Sequence, residues 1–78
     1  ELVEGELPAG AVIAYDTPPV PGMEQHILLL SGTLDFADGT QGWTLKAGDC
    51  LRVKLHGPTR FHAAGRSPAR YLIAICLP

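Results

Sequence analysis

Long apolar runs are missing from this 78-residue chain, and with them any stretch of membrane-spanning length or any secretory hydrophobic region. Cysteine is scarce. Cys50 and Cys76 are too few and too far apart for a disulfide framework and form no Cys-x-x-Cys pair, which points to reduced thiols and a cytoplasmic setting. Basic charge is also in deficit: six Lys or Arg stand against eight Asp or Glu, for a net charge of -2. Binding to a phosphate backbone requires a basic patch, so no direct contact of this domain with nucleic acid is expected. The chain starts at Glu1 without a methionine, which reads as a trimmed fragment.

Room is short as well. A chain of this length holds one domain, residues 1–78, and one modest core, and below about 80 residues such a core seldom supplies more than a few kcal/mol. An apolar content of 46% is high for so small a body, so a second copy of the chain is expected as a partner. The charges are unevenly spread. All six basic residues lie at or after Lys46, whereas Glu1, Glu4, Glu6, Asp16 and Glu24 crowd the first third; an ordinary solvated surface explains this better than subunit docking.

What the chain does contain is closely spaced turn chemistry. Pro8-Ala9-Gly10, the three-proline stretch Thr17 to Gly22, Ser31-Gly32, Asp38-Gly39, Ala47-Gly48-Asp49, His56-Gly57-Pro58 and Gly65-Arg66-Ser67-Pro68 leave no room for a sizeable helix. The runs between them are short and rich in β-branched, aromatic and leucine residues: Val3 to Leu7, Ala11 to Tyr15, Gln25 to Leu30, Thr33 to Ala37, Trp43 to Lys46, Cys50 to Leu55, Arg60 to Ala64 and Tyr71 to Leu77. About eight short strands, and an all-β sandwich, jelly roll or small barrel, follow.

Alternation assigns the faces. Leu51, Val53 and Leu55 point one way while Arg52 and Lys54 point the other, so that strand has one wet face. Ile27 to Leu30 and Leu72 to Leu77 are apolar at both parities, which requires either a second sheet or a partner subunit over them. Whether Leu28, Leu30 and Cys76 meet the one or the other stays open.

With the strands placed, the residues resemble the cupin superfamily, whose two motifs are G-(x)5-H-x-H-(x)3,4-E-(x)6-G and G-(x)5-P-x-G-(x)2-H-(x)3-N. Gly32 fits the end of the first motif, Asp38-Gly39 the hairpin between them, and Gly48-Asp49-Cys50 the opening of the second. More narrowly, Leu45 to Leu51 followed by Pro68 to Leu72 looks like the C-terminal cupin domains of bacterial transcription regulators that carry an N-terminal helix-turn-helix of the XRE type. The resemblance implies an all-β double-stranded β-helix, a jelly-roll barrel. An upstream helix-turn-helix of about 60–80 residues would favour the regulator, and a start codon close to Glu1 a stand-alone protein.

The departures from the motifs decide the expected chemistry. Counting from Gly32 puts the family's glutamate ligand at Gln25 and its histidines among Pro18, Pro19, Val20 and Pro21; counting from Gly48 puts its second-motif histidine at Thr59 and its asparagine at Ala63. A divalent metal needs three or four imidazole, carboxylate or thiolate groups, so no metal and no other cofactor is expected. His26 and His62 have the outward parity, shared by Cys50; a His-His-Cys zinc site on the outer surface is conceivable, but unassigned surface histidines are commoner. His56, in a His-Gly-Pro turn, reads as a loop residue.

A metal-independent isomerase or epimerase would need an acid and a base facing one cavity. The inward positions Gln25, Ile27, Leu29, Thr59 and Phe61 include no titratable group, although Tyr15, Tyr71 and Asp49 are candidates; Asp49 is more simply a turn residue. The chain is therefore expected to be no enzyme. It is expected instead to bind a small-molecule effector through Gln25, Ile27, Thr59 and Phe61, as the dimerising sensor of a regulator whose DNA-binding part is elsewhere. The alternative to an open pocket is a barrel simply filled by Phe61, Trp43 and leucines, and the alternative to the sensor is a stand-alone cupin, either a metal-free isomerase or a purely structural dimeric domain.

Overall fold

A computed structural model describes residues 1–16 and 22–77. These form β1 (Leu2–Leu7), β2 (Val12–Tyr15), β3 (Glu24–Ser31), β4 (Thr33–Asp38), β5 (Gln41–Lys46), β6 (Cys50–Lys54), β7 (Thr59–Ala63) and β8 (Ala69–Cys76). All eight expected strands are present, with ends displaced by no more than two residues. No helix occurs among the described residues, and so none long and apolar enough to cross a membrane.

Two four-stranded antiparallel sheets result, in the orders β1-β8-β3-β6 and β2-β7-β4-β5. Successive strands lie in opposite sheets except for β4 and β5, which make a hairpin at Asp38-Gly39. Gly32 turns the chain from the first sheet into the second. Its φ of +84° is in the left-handed region, and a Cβ there would run into the carbonyl oxygen of Pro68, so a side chain is excluded twice over.

The core lies between the sheets and is built by alternation. Along β3, Ile27 and Leu29 point inward and are fully buried, and Leu34 and Phe36 of β4 meet them from the opposite sheet. Burying each of these side chains stabilises the fold by about 1.5–3 kcal/mol relative to leaving it in water. Phe36 stacks on Trp43, its cross-strand partner, at 5.9 Å between ring centroids, and tilts against Phe61 at 4.9 Å. On β6, Val53 is buried with Leu55 just beyond it, whereas Arg52 and Lys54 are exposed.

The second sheet covers only the inner parity of the doubly apolar runs. Leu28 and Leu72 are half-buried and Leu30 and Cys76 are exposed on the outer face of the first sheet. Nothing in the described chain lies over that face from the other sheet.

Asp38 continues the inward parity of Leu34 and Phe36 and is buried, although it carries a carboxyl group. Its carboxylate accepts hydrogen bonds from the backbone N–H of His56, at 3.2 Å, and of Gly57, at 3.0 Å. The Gly39 N–H donates to Pro58 O at 2.8 Å, so the hairpin is tied to the 55–58 loop from both sides. Buried carboxylates survive when backbone donors replace their lost water.

Candidate functional site: a cavity between the sheets

Packing is uneven along the barrel. Where Leu29, Leu34, Ala63 and Ala69 converge the interior is filled, but toward the start of β3 and the end of β8 the sheets leave a cavity of about 330 Å³. β8 supplies Tyr71, Ile73 and Ile75 to one wall, and β1 supplies Val3 and Gly5 beside them. From the second sheet come Ile13 and Tyr15 of β2 and Thr59 and Phe61 of β7. Met23, Gln25 and Leu55 complete the lining. Val3, Ile13 and Tyr15 are exposed and form its rim.

The aromatic wall depends on a glycine. Gly5 is the register partner of Tyr71, and a Cβ added at Gly5 would sit 2.5 Å from Tyr71 Cε2. Without that methyl group the Tyr71 ring lies over the β1 backbone and stacks on Phe61 at 5.8 Å, with an interplanar angle of 17°. Tyr15 meets Phe61 edge-on at 6.4 Å. Burial raises the Tyr71 phenol above its ordinary pKa, and the neighbouring Tyr15 adds to the effect, so the hydroxyl is neutral at physiological pH.

Gln25 is another polar residue of the cavity lining. It lies on β3 between Val53 of β6 and Ile75 of β8, which directs its side chain inward. Its Nε2 has only the weak acceptor Met23 Sδ, at 3.9 Å, and its Oε1 is buried without a hydrogen-bond partner among the described residues. An unsatisfied buried acceptor costs about 1–3 kcal/mol. Most native interiors avoid such groups, and this one belongs to a side chain of the cavity wall.

Three of the four positions expected to contact a ligand, Gln25, Thr59 and Phe61, therefore line one cavity. Ile27 does not. It points inward as its parity requires, but it is fully buried in the filled part of the core and contributes nothing to the cavity wall. Tyr71, Tyr15 and Met23, by contrast, do line the wall. Tyr71 shares its parity with Ile73 and Ile75, but with apolar residues at both parities of β8 the sequence does not say which set is inside.

Neither a family model nor a curated protein matches the sequence. Solved structures do match. The Cupin_2 domain of an XRE family transcriptional regulator from Enterobacter cloacae superposes with a TM-score of 0.88 at 22% identity, over 99% of this chain and 80% of that one. This chain has a cupin-type double-stranded β-helix fold. A second match is an HTH_3 family transcriptional regulator from Vibrio cholerae, with a TM-score of 0.87 at 18% identity, over 99% of this chain and 42% of that one. A cupin protein from Bacteroides fragilis follows at 0.77 and 28% identity, over 95% and 62% respectively. The present chain thus spans less than two thirds of the Vibrio and Bacteroides proteins.

A cupin barrel ordinarily suggests a metal, and the donor set decides whether one fits. By the motif count Gln25 and Thr59 stand at two of the family's four ligand positions and offer a neutral amide and a hydroxyl; the other two, among 18–21, lie outside the described residues. This set does not fit a divalent metal. Among the described residues no group of three His, Cys, Asp or Glu side chains converges anywhere.

His26 and His62 face outward and engage carboxylates. His26 Nε2 lies 3.2 Å from Glu24 Oε1, and Arg52 Nε donates to the same oxygen at 2.8 Å. That arginine, chiefly by its hydrogen bond, holds the Glu24 carboxyl below its ordinary pKa. On the second sheet His62 Nδ1 lies 3.5 Å from Oδ2 of Asp35, its register partner. With His26 on β3 and His62 on β7, the two imidazoles occupy the outer faces of different sheets, so a surface site joining them with Cys50 does not assemble. Asp49 is the turn residue its sequence suggested: its Oδ2 accepts from the Lys46 N–H at 2.8 Å.

Proposed function

We propose that this domain binds a small-molecule effector between its sheets and acts as the dimerising sensor module of a transcription regulator. The observation that carries the reading is the cavity of about 330 Å³, apolar for the most part, with Gln25 Oε1 buried and unpartnered in its wall. Small-molecule sites typically have this make-up: an apolar lining with a few polar groups that fix orientation, in a volume of roughly 300–1,000 Å³. Structural similarity to a domain of an XRE family regulator supports the regulatory context.

The outer face of the first sheet supports self-association. Leu2 and Leu30 are exposed there beside half-buried Leu28 and Leu72, on the parity that faces away from the core. A second copy laid over this face would remove these leucines from water. An effector then acts by binding one arrangement of the dimer better than the other.

A metal-independent isomerase has less support. The ionisable groups among the described lining residues are Tyr15 and Tyr71, and burial holds Tyr71 in its protonated form. Among the described lining residues no carboxylate, imidazole or amine completes an acid–base pair with them.

The test is a thermal-shift screen of small metabolites combined with light scattering. A metabolite present at about 100 times its Kd should stabilise the domain by about 2.7 kcal/mol and alter the dimer equilibrium. A strictly monomeric domain whose melting temperature no metabolite raises would refute the sensor reading.

A further inference from the structure

The lining of the cavity restricts the kind of molecule it takes, if the cavity is indeed a ligand site as proposed above. Among the described residues the wall contains no Lys, Arg, His, Asp or Glu, and the undescribed residues, Thr17 to Pro21 and Pro78, carry no ionisable side chain in the sequence. A buried carboxylate, phosphate or ammonium group would find no opposite charge there, and an unpaired charge is strongly disfavoured in such a site. The volume equals that of about eleven water molecules at roughly 30 Å³ each, room for a molecule of about ten heavy atoms.

Hydrogen-bond chemistry narrows the choice further. Gln25 Oε1 lacks a donor, and the one hydrogen bond of its Nε2 goes to a thioether, so the amide is held only weakly in its present orientation. Rotation about χ3, a broad torsion, is enough to bring the oxygen from its buried position toward the cavity. The aromatic faces of Phe61 and Tyr71 favour a flat partner. We infer that the ligand is an uncharged, largely apolar and flat molecule of about ten heavy atoms that donates a hydrogen bond to the Gln25 side-chain carbonyl.

Three probes of one skeleton test this: 4-methylphenol, which has a donor; 4-methylanisole, in which the donor is capped; and 4-methylbenzoate, which is anionic at neutral pH. Titrations followed by NMR of the 15N-labelled domain give Kd and report the Gln25 side-chain amide directly. The phenol should bind about tenfold more tightly than the ether, shift the Gln25 amide signals and outcompete the benzoate. In Gln25→Leu the preference for phenol over ether should fall to about one while the ether still binds. The ranking in the unaltered domain stands even if that variant fails to fold.

Equal binding of phenol and ether, or tighter binding of the benzoate, would overturn the ligand class and leave the cavity as a ligand site. If no probe perturbs Phe61, Tyr71 or Ile73 at its solubility limit, the cavity does not admit ligands of this size, and both readings fall.

Discussion

The two ends of this barrel share strands β3, β7 and β8, yet one is solid and the other hollow. At the solid end Leu29, Leu34, Ala63 and Ala69 have no exposed surface, and small alanines let the sheets close on the leucines. At the hollow end larger or polar side chains take the inward positions of β7 and β8: Tyr71 and Ile73 follow Ala69 along β8, and Phe61 and Thr59 precede Ala63 along β7. Large residues on both sheets hold the walls apart. The comparison shows that a cavity in a small β fold can arise from adding side-chain bulk to its walls.

Four substitutions or conditions separate the two ends. Phe36→Ala strikes beside the solid end and should cost about 3–5 kcal/mol by chemical denaturation, enough to unfold most molecules of so small a domain. Ile73→Ala enlarges a space that already exists, so it should cost about 2 kcal/mol, the bottom of the range for such truncations. Equal losses at the two sites would mean that the hollow end closes up in solution. Gln25→Leu removes an orphaned acceptor and should stabilise the unliganded domain by about 1 kcal/mol; a loss of that size would show that the amide already has a partner.

The smallest effect concerns pH. Because the folded-state pKa of Tyr71 is raised, the unfolded chain loses this proton first, near pH 10, while the folded chain keeps it. Stability should therefore decline as pH rises from about 10 toward the folded-state value, and Tyr71→Phe should flatten that part of the profile. An unchanged profile would place the Tyr71 hydroxyl in water.

The strands were legible in the sequence because turn residues mark them so closely, and the inward parity of Gln25, Thr59 and Phe61 followed from counting within them. The hollow was not legible. Ile27 has the same parity as Gln25, yet two residues along the strand the interior changes from cavity to packed core. That change depends on what the opposite sheet supplies at the same level, which the alternation of a single strand does not record. Asp38 was similarly hidden, since a carboxylate at a hairpin turn ordinarily lies in solvent and its buried partners, the N–H groups of His56 and Gly57, are far along the chain.

The alternation of successive strands between sheets has a further consequence, for the order in which the molecule forms. Only β4 and β5 are neighbours both in the chain and in a sheet; every other pairing joins strands separated by others, and β1 pairs with β8. Each such pairing closes a long loop before any contact rewards it, which slows folding into the millisecond-to-second range. The β4–β5 hairpin is the natural starting point. Closure of the whole chain waits for Leu2–Leu7 to reach Ala69–Cys76, and until then the edge of β8 is open to a strand from another molecule.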